Sequence, residues 1–155
     1  MKGVEEAYQS LSDPPSPLEL QGLAAYVHQF YTGVEGLFRH LVVRLGEGLP
    51  RGEQWPRELL AQVAEPHEGK RPAIIDEPLR ALLEEYLAFR HFFRHAYGYQ
   101  YQLEWPRLRP LVVDLPSTFQ RLQAGLEAFF AALHPTHEER EDRGGPEGEG
   151  AGNRG

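Results

Sequence analysis

Eight consecutive residues, Arg90 to Tyr97, read R-H-F-F-R-H-A-Y and set two arginines, two histidines and a tyrosine beside two phenylalanines. Histidine titrates near neutrality, so it can take or give a proton at physiological pH. Arginine keeps its charge and presents a planar fork of donors that fits a phosphate. No other stretch of the 155-residue chain gathers so many groups of these kinds. The chemistry they point to is proton transfer beside a held phosphate. A metal site is a second use, since His91 and His95 at i,i+4 can grip one ion, but no H-E-x-x-H pattern accompanies them and no third ligand is evident. Taken by themselves, such residues are more often a solvated helix face than a catalytic one.

The element that must position them is a helix from Pro78 to Tyr97. Asp76 is its expected N-cap, and Pro78 falls near the first helical positions, where a missing N–H costs nothing. At ~100° per residue, Leu79, Leu82, Tyr86, Phe89, Phe92, Phe93 and Ala96 fall on one broad side, the expected core. Arg90, His91, Arg94 and His95 fall on the other, with Leu83 and Leu87 among them and Tyr97 at the boundary. Leucines on a polar face point to a partner that covers it. Arg90 and His95 lie ~140° apart around an ideal helix, too far for one small substrate unless the long arginine arm bends. A symmetric dimer facing this stripe on two chains would give one shared cleft.

The rest of the chain reads as further helices around this one. Residues 1–16 form a polar N-terminal arm, irregular or frayed, ending in D-P-P-S-P. From Leu18, apolar residues recur every three or four positions through Leu45, the pattern of one long amphipathic helix closed by G-E-G-L-P. Arg39, His40 and Arg44 lie on or near its polar side. A shorter helix spans Trp55 to Ala64 with Leu59, Leu60 and Val63 inward, and E-P-H-E-G-K-R-P after it is a loop holding an exposed His67. Trp105 to Leu133 is helical again, with Pro110 and Pro116 predicting a kink or a split. Residues 17–134 form one helical domain. Residues 135–155 lack apolar periodicity and are expected to be a disordered acidic, glycine-rich tail. The expected class is all-α, a four-helix bundle with a short extra helix or a kinked last helix.

Composition narrows the function further. With no cysteine there is no disulfide, thiolate metal site or cysteine nucleophile. No secretory signal or apolar span of membrane length is evident, so a cytoplasmic protein without membrane contact is the expectation. The net charge of −7 argues against indiscriminate coating of nucleic acid. A small basic cleft on an acidic protein can still bind RNA, because the field near the cleft decides.

The spacing Arg90, four residues, His95, one residue, Tyr97 resembles the R-x4-H-x-Y motif of HepT-like toxins in the HEPN ribonuclease superfamily. The flanks are similar too: Y-T-G-V-E at Tyr31 to Glu35, R-E-L-L at Arg57 to Leu60, R-P-A-I-I at Arg71 to Ile75, and R-L-R-P-L at Arg107 to Leu111. The likeness runs from about Leu18 to about Leu133. It implies a HEPN-type bundle, a homodimeric site, and an endoribonuclease that needs no metal or other cofactor. It implies His95 as the proton-transfer residue and Arg90 on the phosphate. It also implies a nucleotidyltransferase antitoxin as partner, which neutralises the toxin by AMPylation of Tyr97.

The residues agree with that chemistry on their own terms. RNA carries its own nucleophile, the 2′-OH, so a protein need only move protons and steady the phosphate. His91 is a candidate second polar contact and Arg94 a candidate contact to the RNA phosphates. The expected substrate is RNA, tRNA or mRNA, and DNA, lacking the 2′-OH, is not cut. Tyr97, without the resemblance, reads as a tyrosine at the core boundary. A non-catalytic helical module that partners a nucleotidyltransferase or binds a nucleotide stays open as the alternative.

Overall fold

A computed structural model of the chain describes residues 2–95 and 103–134. Among these residues the fold is all-helical: α1 (Lys2–Gln9), α2 (Pro17–Arg44), α3 (Trp55–Ala64), α4 (Glu77–His95) and α5 (Trp105–Leu133). α4 is the central element, packed against α2, α3 and α5, while α1 touches α2 and α5. A short helix thus occupies part of the N-terminal arm, where an irregular or frayed segment was expected.

Local chemistry sets the helix starts. Ser16 caps α2: its Oγ accepts from the Glu19 amide at 3.3 Å, and the Glu19 carboxylate accepts from the Ser16 amide at 2.6 Å. The Ser12 amide and hydroxyl add bonds at 3.1 and 3.2 Å, and these donors hold the Glu19 carboxyl below its ordinary range. Asp76 caps α4 as expected, its Oδ1 accepting from the Leu79 amide at 2.8 Å. α5 keeps Pro110 and Pro116 within one continuous helix and is not split.

The loop from α3 to α4 is tied by a buried arginine. Arg71 gives Nε and Nη2 to the two oxygens of Glu47 at 2.5 and 2.8 Å, and its Nη groups also reach the carbonyls of Glu65, Pro72 and Gln62. These bonds hold the Glu47 carboxyl down at about 2. Gly69 takes a φ of +73°, which closes the turn across which His67 and Arg71 exchange backbone bonds at 3.0 Å. His67 is only half-exposed, with Nδ1 3.5 Å from Glu47.

The core corrects one expectation. The buried stripe of α4 is Leu79, Leu83, Tyr86 and Arg90, at i, i+4, i+7 and i+11. Leu83 is 0 % exposed and Arg90 6 % exposed, so neither belongs to an outward face. Leu82, Leu87, Phe89, Phe92 and Phe93 are only half-buried and flank the stripe. The reason is that α4 is apolar around most of its circumference in this region, so periodicity alone leaves the inward direction open by about a residue step, ~100°. What fixes it lies on α2, whose face against α4 carries a carboxylate for Arg90.

Candidate functional site

That carboxylate is Glu35, itself 6 % exposed. Arg90 Nη1 donates to Glu35 Oε2 across the α2–α4 seam in a buried ion pair. Tyr31, one turn before Glu35 on α2, is fully buried, and burial first and the Glu35 charge second push its hydroxyl well above the ordinary phenol value. An arginine can be buried only when its charge is met, and Glu35 meets it. Among the described residues Glu35 is the hydrogen-bond partner of Arg90.

His95, the last residue of α4, is exposed, as are His91 and Arg94. His95 Nδ1 lies 2.7 Å from the His91 carbonyl oxygen. A carbonyl can only accept, so Nδ1 carries the hydrogen and the neutral ring keeps its lone pair on Nε2. The rings of His91 and His95 are 4.2 Å apart. The backbone thus fixes one tautomer and leaves Nε2 as the atom that can exchange a proton. Among the described residues no three His, Cys, Asp or Glu side chains cluster in a way that could hold a metal ion.

The structure therefore brings His91, Arg94 and His95 together at the exposed end of α4, and turns Arg90 away from them into the seam with α2. Tyr97 lies outside the described residues. Two residues of the seam had no role in the sequence reading. Glu35 stood there only as the last letter of Y-T-G-V-E. The other is His28, two turns before Glu35, whose ring lies 5.1 Å from that of Phe93. Its Nε2 is buried and has no hydrogen-bond partner among the described residues. Burial first, then the charges of Arg90 and Arg94, hold His28 below the ordinary histidine value, so its ring is neutral at pH 7.

With this geometry in hand, comparison with known proteins adds one positive finding. Neither the curated proteins nor the solved structures yielded a match. A family model described as HepT-like protein matches residues 22–133, from the first turns of α2 to the end of α5 and including Glu35, Arg90 and His95. The chain belongs to the HepT-like protein family.

Proposed function

We propose that this chain is a metal-independent endoribonuclease of the HEPN type, the toxin of a toxin–antitoxin pair. The observation that carries the reading is the end of α4 in a chain of this family: an exposed histidine with its Nδ1 committed to a backbone carbonyl, one residue from Arg94 and in the same motif as Arg90.

In the reaction, the 2′-oxygen of RNA attacks the adjacent phosphorus and the bond to the 5′-oxygen breaks. The products are a 2′,3′-cyclic phosphate and a free 5′-OH. One proton leaves the 2′-OH and one reaches the 5′-oxygen, and Nε2 of His95 carries one of these transfers. Arg94 and Arg90 hold the phosphate, with His91 as a further polar contact. Glu35 takes one nitrogen of the Arg90 fork and so orients the remainder; it acts as a positioning residue. Arg90 and His95 diverge by ~140° around α4, so the site is completed by a second copy in a homodimer.

Control of the toxin follows from charge. AMP placed on Tyr97, three residues after Arg94 in sequence, by a nucleotidyltransferase antitoxin adds an anion to the motif and blocks phosphate binding. Tyr97→Phe should keep cleavage yet escape silencing; silencing by AMP transfer to that variant would move the target to another tyrosine.

The second reading, a non-catalytic helical module that partners a nucleotidyltransferase or binds a nucleotide, is favoured by one observation. Arg90 is buried and neutralised, as a purely structural arginine would be. The deciding experiment is cleavage of a mixed tRNA and mRNA pool in excess EDTA, with His95→Ala alongside. Cleavage by the wild type only, leaving 2′,3′-cyclic phosphate ends, is the expected result. A folded dimer that mass spectrometry shows free of AMP, and that leaves the pool intact, would overturn the ribonuclease reading in favour of the module.

A further inference from the structure

A cavity of about 340 Å³ opens beside His91, between the start of α3 and the middle of α4. Its apolar lining comes from Leu87 and Ala88 of α4 and Pro56 of α3. Its polar groups are Glu53 and Gln54 just before α3, and the pair Arg57–Glu84, 3.3 Å apart, that spans the two helices. Arg80 holds the other oxygen of Glu84 at 3.3 Å. Gln54 makes no side-chain bond to its own helix, so its amide remains available as donor and acceptor.

The charge of this cavity sets it apart from the phosphate-binding end of α4. The lining carries two carboxylates, Glu53 and Glu84, against one guanidinium group, Arg57, and the nearby Arg80 is already paired with Glu77, so the surroundings do not favour an anion. A neutral, flat ligand with hydrogen-bonding edges fits better: its faces meet Leu87, Ala88 and Pro56, and its edge meets Gln54 and Glu53. A nucleobase has this chemistry, and single-stranded RNA is read by such contacts to splayed bases. The position also suits one. Leu87, His91 and His95 stand on successive turns of α4, about 5.4 Å each, so a base in the cavity lies beside a phosphate held at His91, Arg94 and His95.

We propose that this cavity is a base-binding subsite that reads a nucleotide flanking the cleaved phosphate, with Glu53 and Gln54 as its specificity residues. The inference rests on the ribonuclease reading for its substrate, but its test does not use cleavage.

The test follows the Leu87 methyl and the His91 and His95 ring resonances of the full chain by NMR during titration with the four nucleoside 3′-monophosphates, and with inorganic phosphate as control. The nucleotides should shift Leu87 and the histidines, and phosphate the histidines only. Affinity should differ about tenfold between the best and the worst base, the discrimination that good polar contacts to a base edge supply. In the Glu53→Ala/Gln54→Ala variant the difference should fall to about twofold or less, with the phosphate response of His95 retained. A silent Leu87, or discrimination unchanged in the variant, overturns the subsite. A chain that discriminates bases but leaves RNA intact overturns only the ribonuclease reading, and one that cuts RNA with Leu87 silent overturns only the subsite.

Discussion

Arg90→Met is expected to destabilise the fold as well as affect the site. Both side chains of the Arg90–Glu35 pair are nearly inaccessible, 8 % and 7 % exposed. Removing one partner leaves the other charge buried without its counterion, at a cost of about 3–5 kcal/mol. With a urea m-value of about 2 kcal/mol/M, the midpoint should fall by about 2 M. Glu35→Leu should cost about as much for the same reason. The double variant Arg90→Met/Glu35→Leu removes both charges and fills the seam with apolar atoms, so its stability should return to near wild type or exceed it. Urea melts of the four proteins close a double-mutant cycle, and with each single loss at about 3–5 kcal/mol and little loss in the double variant the coupling energy should be about 6 kcal/mol or more. A coupling below about 0.5 kcal/mol, with the single variants as stable as wild type, would refute the buried pair. The cycle also protects the functional assay. Lost cleavage in Arg90→Met alone confounds unfolding with a lost phosphate contact, whereas lost cleavage in the stable double variant does not.

Other expectations follow from the same structure. His95→Ala should lower cleavage about 10²–10⁴-fold, while its stability in urea melts stays within about 0.5 kcal/mol of wild type because the ring is exposed; a large stability loss would make His95 structural. Leu83→Ala should cost about 2–5 kcal/mol at any protein concentration, because Leu83 is core; a loss seen only as dimer dissociation on dilution would return it to an interface. Glu47 has its carboxyl lowered from 4.5 to about 2, first by the hydrogen bonds of Arg71. A depressed carboxyl stabilises the fold above its unfolded pKa, here by about 3 kcal/mol, and that contribution is lost as pH falls from about 4.5 towards 2. Glu47→Gln should therefore lose stability at pH 7 and show a flatter acid dependence below pH 5 in urea melts; parallel losses in variant and wild type would sink this assignment.

The helices were legible because their signals are local. Asp76 before Pro78 and the three-or-four spacing from Leu18 each name a boundary or a face without reference to the rest of the chain. Which way α4 turns was not local. Its phenylalanines, Phe89, Phe92 and Phe93, all lie on one flank of the buried stripe, so counting them pulled the expected core towards Phe92 and left Leu83 and Arg90 outside. Only the carboxylate on α2 makes burial of Arg90 tolerable, and nothing in α4 itself announces Glu35. His67 lies in the loop that its polar neighbours predict, with its side chain 39 % exposed, and what those neighbours do not show is its contact with Glu47, made by residues far apart in sequence.

The rotation of α4 bears on function. If the fold needed only to fill the seam at position 90, an apolar side chain would serve at least as well, since exchanging a buried ion pair for packed hydrophobic residues is often neutral or stabilising. The chain instead desolvates a guanidinium and a carboxylate next to the stretch that carries the exposed His91, Arg94 and His95. Departures from the best-packed solution are expected where a site must be built. A carboxylate on one nitrogen of Arg90 restricts the fork far more than packing would, and a restricted fork loses less freedom when it meets a phosphate. The neutral His28 beside it adds no second positive charge to the seam. These features support Arg90 as a held functional group, and they separate two tasks on one helix: the buried side fixes the arginine, and the exposed side carries the histidine with its assigned tautomer. If the proposed homodimer completes the site, a variant that dissociates it without unfolding the chain should lose cleavage while keeping the Arg90–Glu35 coupling intact.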